Sequence, residues 1–472
     1  MKATFNFNCE YMKKFLEGAD KMVNIKVDKT KTLREMKPMH GIGQPPMLGS
    51  NTSRFSYLSD ANIPFSRLHD VGGVFGQNLW VDIPNIFRDF DADADDPASY
   101  DFVWTDILIK GLMENNCKPV YRLGVTIENG QDIKAYRIYP PKDMKKWAVI
   151  CEHIIRHYNE GWADGFYYNI EYWEIWNEPD NGRPEKLTEN MMWKGTAEEF
   201  FELYRVTSKH LRSCFGDKIK IGGYGSSGFY RLDNVEDIAE TLALGMALKD
   251  PVNEWEGRTQ YFIDFFDCFI DMVVKEKLPF DFFSHHSYGD VPTTERRQTY
   301  VEMRLEQAGL SNVEIHLNEW NPNPRVRERG TLLACANAVA MMIAMQNKKM
   351  DMMCYYDARI GASAYGGMFN PITYEPFCAY YGFKAFGELY ILKNQVECSC
   401  DKSGIYALAA YDDSVGKVLV VNNTDAVEEM CIDGVTCEEM YIISENKNLE
   451  KEEMAENRYT LGPRETVLVV YR

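Results

Sequence analysis

"IEYWEIWNEPD", Ile170 to Asp180, is a run of bulky residues that closes on an Asn, a Glu and a Pro. It reads as a strand that ends on a carboxylate. Outward from it, short apolar runs alternate with longer amphipathic ones from about residue 39 to 393, the signature of repeated βα units around a parallel sheet. The candidate strands are "MHGIG" from Met39, "PFSRLHDV" from Pro64, "KPVYRLGVT" from Lys118, "IEYWEIWN" from Ile170, "IKIGGYG" from Ile219, "FDFFSHHSY" from Phe280, "EIHLNEW" from Glu314 and "MMCYYDAR" from Met352. Eight such units predict a (β/α)8 barrel, with active-site groups at the C-terminal ends of its strands. The period is topological, and no repeated sequence accompanies it.

Helical patterns lie between the strands, among them "PKDMKKWAVICEHIIRHY" from Pro141 and "TAEEFFELYRVTSKHLRSCFG" from Thr196. The second opens with Glu198 and Glu199 in its first turn, where the helix dipole favours acids, and stops at Gly216. After about residue 394 the pattern changes. "GIYALAAYDDSVGKVLVVNNT" alternates two strand-like runs about a turn containing Asp412, Asp413 and Gly416, and "RETVLVVYR" closes the chain as another strand. We therefore expect a barrel over residues 36–393 and a small accessory β-sandwich over 394–472. The early alternations "ATFNFN" and "NIKVDKT", within residues 1–35, would add strands to the sandwich and make it discontinuous.

The 472 residues are ample for such a pair, and 45% hydrophobic with 26% charged residues excludes disordered and fibrous classes. A formal net charge of −19 argues against nucleic acid as a partner and weakly against polyanionic sugars. "MKATFNFNCEYMKKFLEG" has no apolar h-region or small-residue cleavage site, so the expected location is cytoplasmic. The twelve cysteines are scattered and fit neither a zinc nor a redox motif, which predicts free thiols. "LLACANAVAMMIAM", from Leu332, is too short for a membrane span and reads as a buried helix. "DFDADADDP", from Asp89, lacks the Gly and closing Glu of a calcium loop and reads as a solvated loop. The glycines of "GIG" at Gly41 and "GGYGSSG" at Gly222 match no phosphate-binding fingerprint and are predicted as turns.

Glu178 follows the fourth candidate strand, and Glu319 ends the seventh in "HLNEWNP". In a closed barrel both project from one rim. Splitting a glycosidic bond needs such a pair: one carboxylic acid protonates the departing oxygen, and a carboxylate opposite meets the developing oxocarbenium ion. Like-charge repulsion from an ionised Glu319 would keep Glu178 protonated.

"WEIWNEPD" followed by "HLNEWN" resembles the retaining glycosidase clan whose acid/base Glu follows an Asn after strand four and whose nucleophilic Glu ends strand seven. The layout is similar to glycoside hydrolase family 39 in particular, the group of β-xylosidases and α-L-iduronidases. "PFSRLHDV", "YDFVWTDILIKGLMENNCKPVYRLG" and "FDFFSHHSY" extend the likeness over most of the barrel. The resemblance implies Glu178 as acid/base and Glu319 as nucleophile, with Asn177 hydrogen-bonding the sugar hydroxyl beside the anomeric carbon. Arg67 and His69, with His286 and Tyr288, would line the sugar pocket, Tyr288 also orienting Glu319 through its phenol. Arg67 has a second reading as a structural ion-pair partner of a carboxylate. Trp176 and Trp320 read equally as sugar platforms or as barrel packing. Near the last strand, "DARIGASAYGGMFNP" is rich in small residues where the family pattern leads one to expect bulkier aromatic ones.

The expectation is a retaining, exo-acting glycosidase, β-xylosidase first, with β-galactosidase, β-glucosidase or α-L-arabinosidase as alternatives. Its partner would be a short glycoside or oligosaccharide. Neither a cofactor nor a metal is called for, since no His-x-His or comparable cluster falls on strand ends. A non-catalytic sugar-binding protein on the same fold is the rival from another class. A homo-oligomer is left open.

Overall fold

The computed structural model describes residues 22–71, 79–126, 138–183, 185, 190–235, 237–243, 254–322, 325–361 and 365–472. The chain divides into two units, Lys37–Gly387 and the pair Met1–Met36 with Glu388–Arg472. Strand β1 (Val23–Glu35) belongs to the second. The first holds β2 (Gly41–Gly43), β3 (Phe65–Leu68), β4 (Lys118–Leu123), β5 (Tyr172–Ile175), β6 (Lys220–Ser226), β7 (Phe282–Ser287), β8 (Glu314–Trp320) and β9 (Met352–Tyr355). Each pairs in parallel with the next, and β9 returns to β2 through Gly41↔Cys354 and Ile42↔Tyr355. Each of the eight candidate strands of the sequence has thus become a stave of a closed barrel.

Side chains alternate along a strand, so the inward positions stack in layers. The lower layer is apolar: Phe65, Val120, Tyr172, Phe282, Met352 and Cys354 pack together, with Tyr172 edge-on to Phe65 and Phe282, both at 5.7 Å. Two residues further along the same strands the interior turns polar, with Arg67, Arg122, Glu174, Ser284 and Asn318 all buried. The helix Ala197–Phe215 begins with a capping box between Thr196 and Glu199 and ends at Gly216, where φ is 56°. The helix Leu332–Gln346 is almost wholly buried. Among the described residues no helix is long and apolar enough to cross a membrane.

The glycine runs predicted as turns are strand. A Cβ at Gly41 would lie 2.5 Å from the Met353 carbonyl, and one at Gly222 2.1 Å from that of Phe282. Here glycine lets staves close up rather than letting the chain reverse.

In the second unit, β10 (Asn394–Cys400), β11 (Ile405–Tyr411), β12 (Gly416–Asn422), β13 (Glu428–Asp433), β14 (Cys437–Ile443), β15 (Asn448–Glu452), β16 (Arg458–Leu461) and β17 (Thr466–Tyr471) join β1. They form one curled nine-stranded sheet in the order β15-β14-β17-β12-β11-β10-β1-β13-β16. The β1–β13 pair is parallel, and the rest are antiparallel. Its core runs from Val23 and Ile25 to Val467 and Tyr471. The β11–β12 turn is held by Asp412, whose Oδ1 accepts from the backbone N–H of Ser414 and Val415. "ATFNFN" lies outside the described residues.

Candidate active site

Strand β5 stops at Ile175, and the chain then kinks: Trp176 (φ 72°) and Glu178 (φ 45°) both take left-handed backbone, a costly conformation for residues other than glycine. The Glu178 N–H donates to the Gly225 carbonyl at 2.9 Å, tying the kink to β6. Gly225 (φ 63°) is itself required here, since a Cβ would approach Arg67, Asn177 and Glu174 to 3.0–3.4 Å. Asp180 secures the following turn by accepting from the Ser226 hydroxyl and from the Ser227 hydroxyl and N–H.

Arg67, from β3, is the hub beneath the rim. It donates from Nε to Glu174 Oε2 (2.7 Å), from Nη1 to Glu319 Oε1 (2.7 Å) and from Nη2 to Asn177 Oδ1 (2.5 Å). Glu174 also accepts from Ser284 and Asn318. Burial opposes its charge, but Arg67 and these donors outweigh burial and hold Glu174 below the usual carboxylate range. Tyr288 donates its phenol to Glu319 Oε2 at 2.8 Å. The nucleophile candidate is therefore gripped on both oxygens.

His286 lies between the two carboxylates, its Nδ1 2.7 Å from Glu178 Oε1 and 3.5 Å from Glu319 Oε2. One donor atom from each of Glu178, His286 and Glu319 falls within 4.8 Å of the other two. Burial pushes the His286 pKa down to about 4, so the ring is neutral at pH 7. Burial likewise pushes both glutamates above the usual range, Glu178 against the Asn181 hydrogen bond and Arg67, and Glu319 against Arg67 and the Tyr288 hydrogen bond. For Glu178, desolvation rather than the expected repulsion from Glu319 is the leading cause. Those three donors could in principle bracket a cation. His286 Nδ1 is hydrogen-bonded to Glu178, however, Glu319 accepts from Arg67 and Tyr288, and the Arg67 guanidinium beside Glu319 disfavours a second cation there.

These groups open into a cavity of about 370 Å³ that also takes in His69, Asn177 and Tyr288. Arg67 and His286 are buried behind it. Trp320 does not belong with them. It is fully buried, stacked on Phe383 and edge-on to Tyr355. A register shift in β8 beside Asn318 brings both Asn318 and Glu319 to the interior and turns Trp320 outward. Trp176 is also packing, its ring against Trp193 at 5.1 Å and its Nε1 donating to the Met192 carbonyl.

Sequence reasoning missed Glu174 and Asp70, though each stands inside a quoted motif. Burial pushes Asp70 up to about 6, and it accepts from the Tyr356 phenol. It also missed the aromatic wall. Tyr365, from the small-residue stretch, and Tyr356, just before it, line the cavity against an expectation of missing aromatics, and Tyr230, Trp255 and Phe262 line it too.

A β-xylosidase from Caldicellulosiruptor saccharolyticus is 22% identical over 254 residues, 49% of this chain; the match spans only 42% of that relative's length. Among solved structures, a glucosidase from Croceicoccus marinus has a TM-score of 0.74 at 19% identity, covering 96% of this chain and 100% of that one. A family 39 β-xylosidase from Caulobacter crescentus gives 0.64 at 14%, over 96% and 100%. At such identities the likeness is one of fold. The model of Glycosyl hydrolases family 39 matches residues 23–324, which include Glu178, Glu319 and the whole of the Arg67 hub. The chain is a member of that family.

Proposed function

We propose that the protein is a retaining, exo-acting glycosidase in which Glu178 is acid/base and Glu319 nucleophile. The observation that carries the reading is the carboxylate spacing. Oxygens of Glu178 and Glu319 within 4.8 Å suit double displacement, for which the two carboxyl groups stand about 5–5.5 Å apart, and leave too little room for the water of an inverting enzyme. Glu319, aligned by Arg67 and Tyr288, attacks the anomeric carbon and forms a glycosyl ester while Glu178 gives its proton to the leaving oxygen. Esterification removes the Glu319 charge, Glu178 then takes a proton from water, and hydroxide character at that water releases the sugar with retained configuration. The Asn177 Nδ2 is buried without a partner among the described residues, which supports its donation to the hydroxyl beside the anomeric carbon.

A cavity of about 370 Å³ is near the lower end of small-molecule sites, which run from about 300 to 1,000 Å³, and favours a terminal sugar over a polymer chain. Xylose is the first choice of sugar. Glucose is the second, because one fold relative carries the name glucosidase. A cytoplasmic enzyme of this kind would act on short glycosides brought into the cell.

The test is a proton NMR time course with aryl glycosides, xylosides first and glucosides second. The expected result is one β-glycoside cleaved with the β-anomer of the product appearing first. Initial appearance of the opposite anomer would overturn double displacement, and no cleavage of any glycoside would favour the sugar-binding rival.

A further inference from the structure

The outer end of the cavity carries an apolar surface for which the two-glutamate chemistry has no use. Trp255, near the start of the helix Glu254–Glu276, lines the cavity yet is 56% exposed. A large aromatic ring left open at the mouth of a site stands out, since every other described tryptophan is buried or half-buried. Its setting is braced. Glu254 is ion-paired to Arg183, and Glu256 to Arg231 at 3.3 Å, so both neighbours of Trp255 are tied down. Tyr230 lies against the Trp255 ring with centroids 6.1 Å apart, and the Arg258 guanidinium sits 5.9 Å from the ring centre.

A chain of contacts runs from this ring to the proton donor. Arg258 donates to Asn181 Oδ1, and Asn181 Nδ2 donates to Glu178 Oε2. In a glycosidase the group beyond the acid is the leaving group, because the acid's proton goes to the oxygen that joins it to the sugar. The sugar itself must sit against Glu319, Asn177 and His69, in the buried part of the cavity. Trp255 is therefore on the leaving-group side and faces solvent, where a departing group enters and exits.

Resting on the glycosidase reading above, we propose that Trp255, braced by Tyr230 and Arg258, is a leaving-group subsite that stacks a ring with a flat apolar face, either an aryl group or a second pyranose. Stacking of this kind strengthens binding by up to about tenfold beyond area burial, so the site selects ring-bearing glycosides over those with small leaving groups. Arg258 serves the subsite by holding the Trp255 ring and Asn181 together.

The experiment compares kcat/KM for three substrates of the preferred sugar: the glycosyl fluoride, whose leaving group offers nothing to stack, the p-nitrophenyl glycoside and the matching disaccharide. Wild type, Trp255→Ala and Trp255→Phe are measured. The ratio of ring-bearing substrate to fluoride is expected to fall about tenfold in the alanine variant and to recover mostly in the phenylalanine variant. A fall confined to the aryl glycoside identifies an aryl partner, and one confined to the disaccharide identifies a sugar. Ratios that stay at the wild-type value, or a parallel loss on all three substrates, overturn the subsite while leaving the two-glutamate mechanism standing. Failure of wild type to turn over the fluoride would instead sink the glycosidase reading, and the subsite with it.

Discussion

Two layers of the barrel interior, two residues apart on the same strands, have opposite chemistry. Phe65 gives way to Arg67 on β3, Tyr172 to Glu174 on β5, and Phe282 to Ser284 on β7. Below, aromatic rings meet edge to face, and the Tyr172 phenol bonds to Glu314 and Lys220 at the starts of β8 and β6. Above, one guanidinium holds Glu174, Glu319 and Asn177 across the barrel. Buried charge is a poor way to stabilise a core. Its presence one layer above a predominantly apolar one fits an upper layer kept, on the proposed mechanism, for what it does to Glu178 and Glu319.

That division can be broken by substitutions on either side. The largest effect is expected for Glu319→Ala: turnover of an aryl glycoside should fall on the order of ten-thousand-fold or more. Near-normal turnover would remove Glu319 from the mechanism. Arg67→Met should damage both activity and stability, since it leaves Glu174 buried without its cation. The expected cost is about 3–5 kcal/mol in denaturant unfolding, with activity down by about a hundredfold or more.

The Arg67→Met variant also has a pH signature. Glu174 has a depressed folded pKa, so its contribution is fully present above its unfolded value of about 4.3 and is lost as pH falls through the folded one. The stability gap between wild type and Arg67→Met should therefore narrow on acidification below about pH 4.3. A gap that is constant with pH would mean that packing of the Arg67 stem, rather than charge, is the stabilising part. Phe282→Ala probes the lower layer and should cost about 3–5 kcal/mol of stability while activity per folded molecule stays near wild type. A selective loss of activity there would show that the layers are not separable.

The lower layer was legible in the sequence because strands buried on both faces read as continuous apolar runs. The rim glutamates were legible because each stands in a motif that closes a run. Glu174 lies in the middle of one such run and was passed over, although a charge flanked by Trp173 and Ile175 on a strand must be inward and paired. Trp320 was assigned to the sugar, and the structure turns it out of the barrel through a register shift beside Asn318 that brings both Asn318 and Glu319 inside. Of the two, only Glu174 could have been read from period two, because the shift breaks the alternation at Trp320. Tyr356, Tyr365 and Trp255 could not, since they stand beyond the strand ends or at a helix start, where loop paths rather than periodicity decide which side chain meets the cavity.

The smallest expected effect sharpens the account of the rim most. Tyr288→Phe removes one donor to Glu319 and no bulk. Burial already holds the Glu319 pKa above the usual carboxylate range, and the phenol works against it. As the proposed nucleophile, Glu319 must be ionised to attack, so losing a donor to its anion favours the protonated, inactive form. The acid limb of kcat/KM should then move to higher pH by about one unit, since hydrogen bonds to charged groups are worth about 1.5–3 kcal/mol. The alkaline limb, set by Glu178, should stay in place, because Tyr288 bonds the other glutamate. The loss of activity is thus largest at low pH and smallest near neutrality, a pattern that a packing defect in the lower layer has no means to produce. A profile superimposable on wild type would mean that Arg67 alone sets the charge state of Glu319, and that Tyr288 serves chiefly to pack against Tyr365, whose ring lies 4.9 Å away.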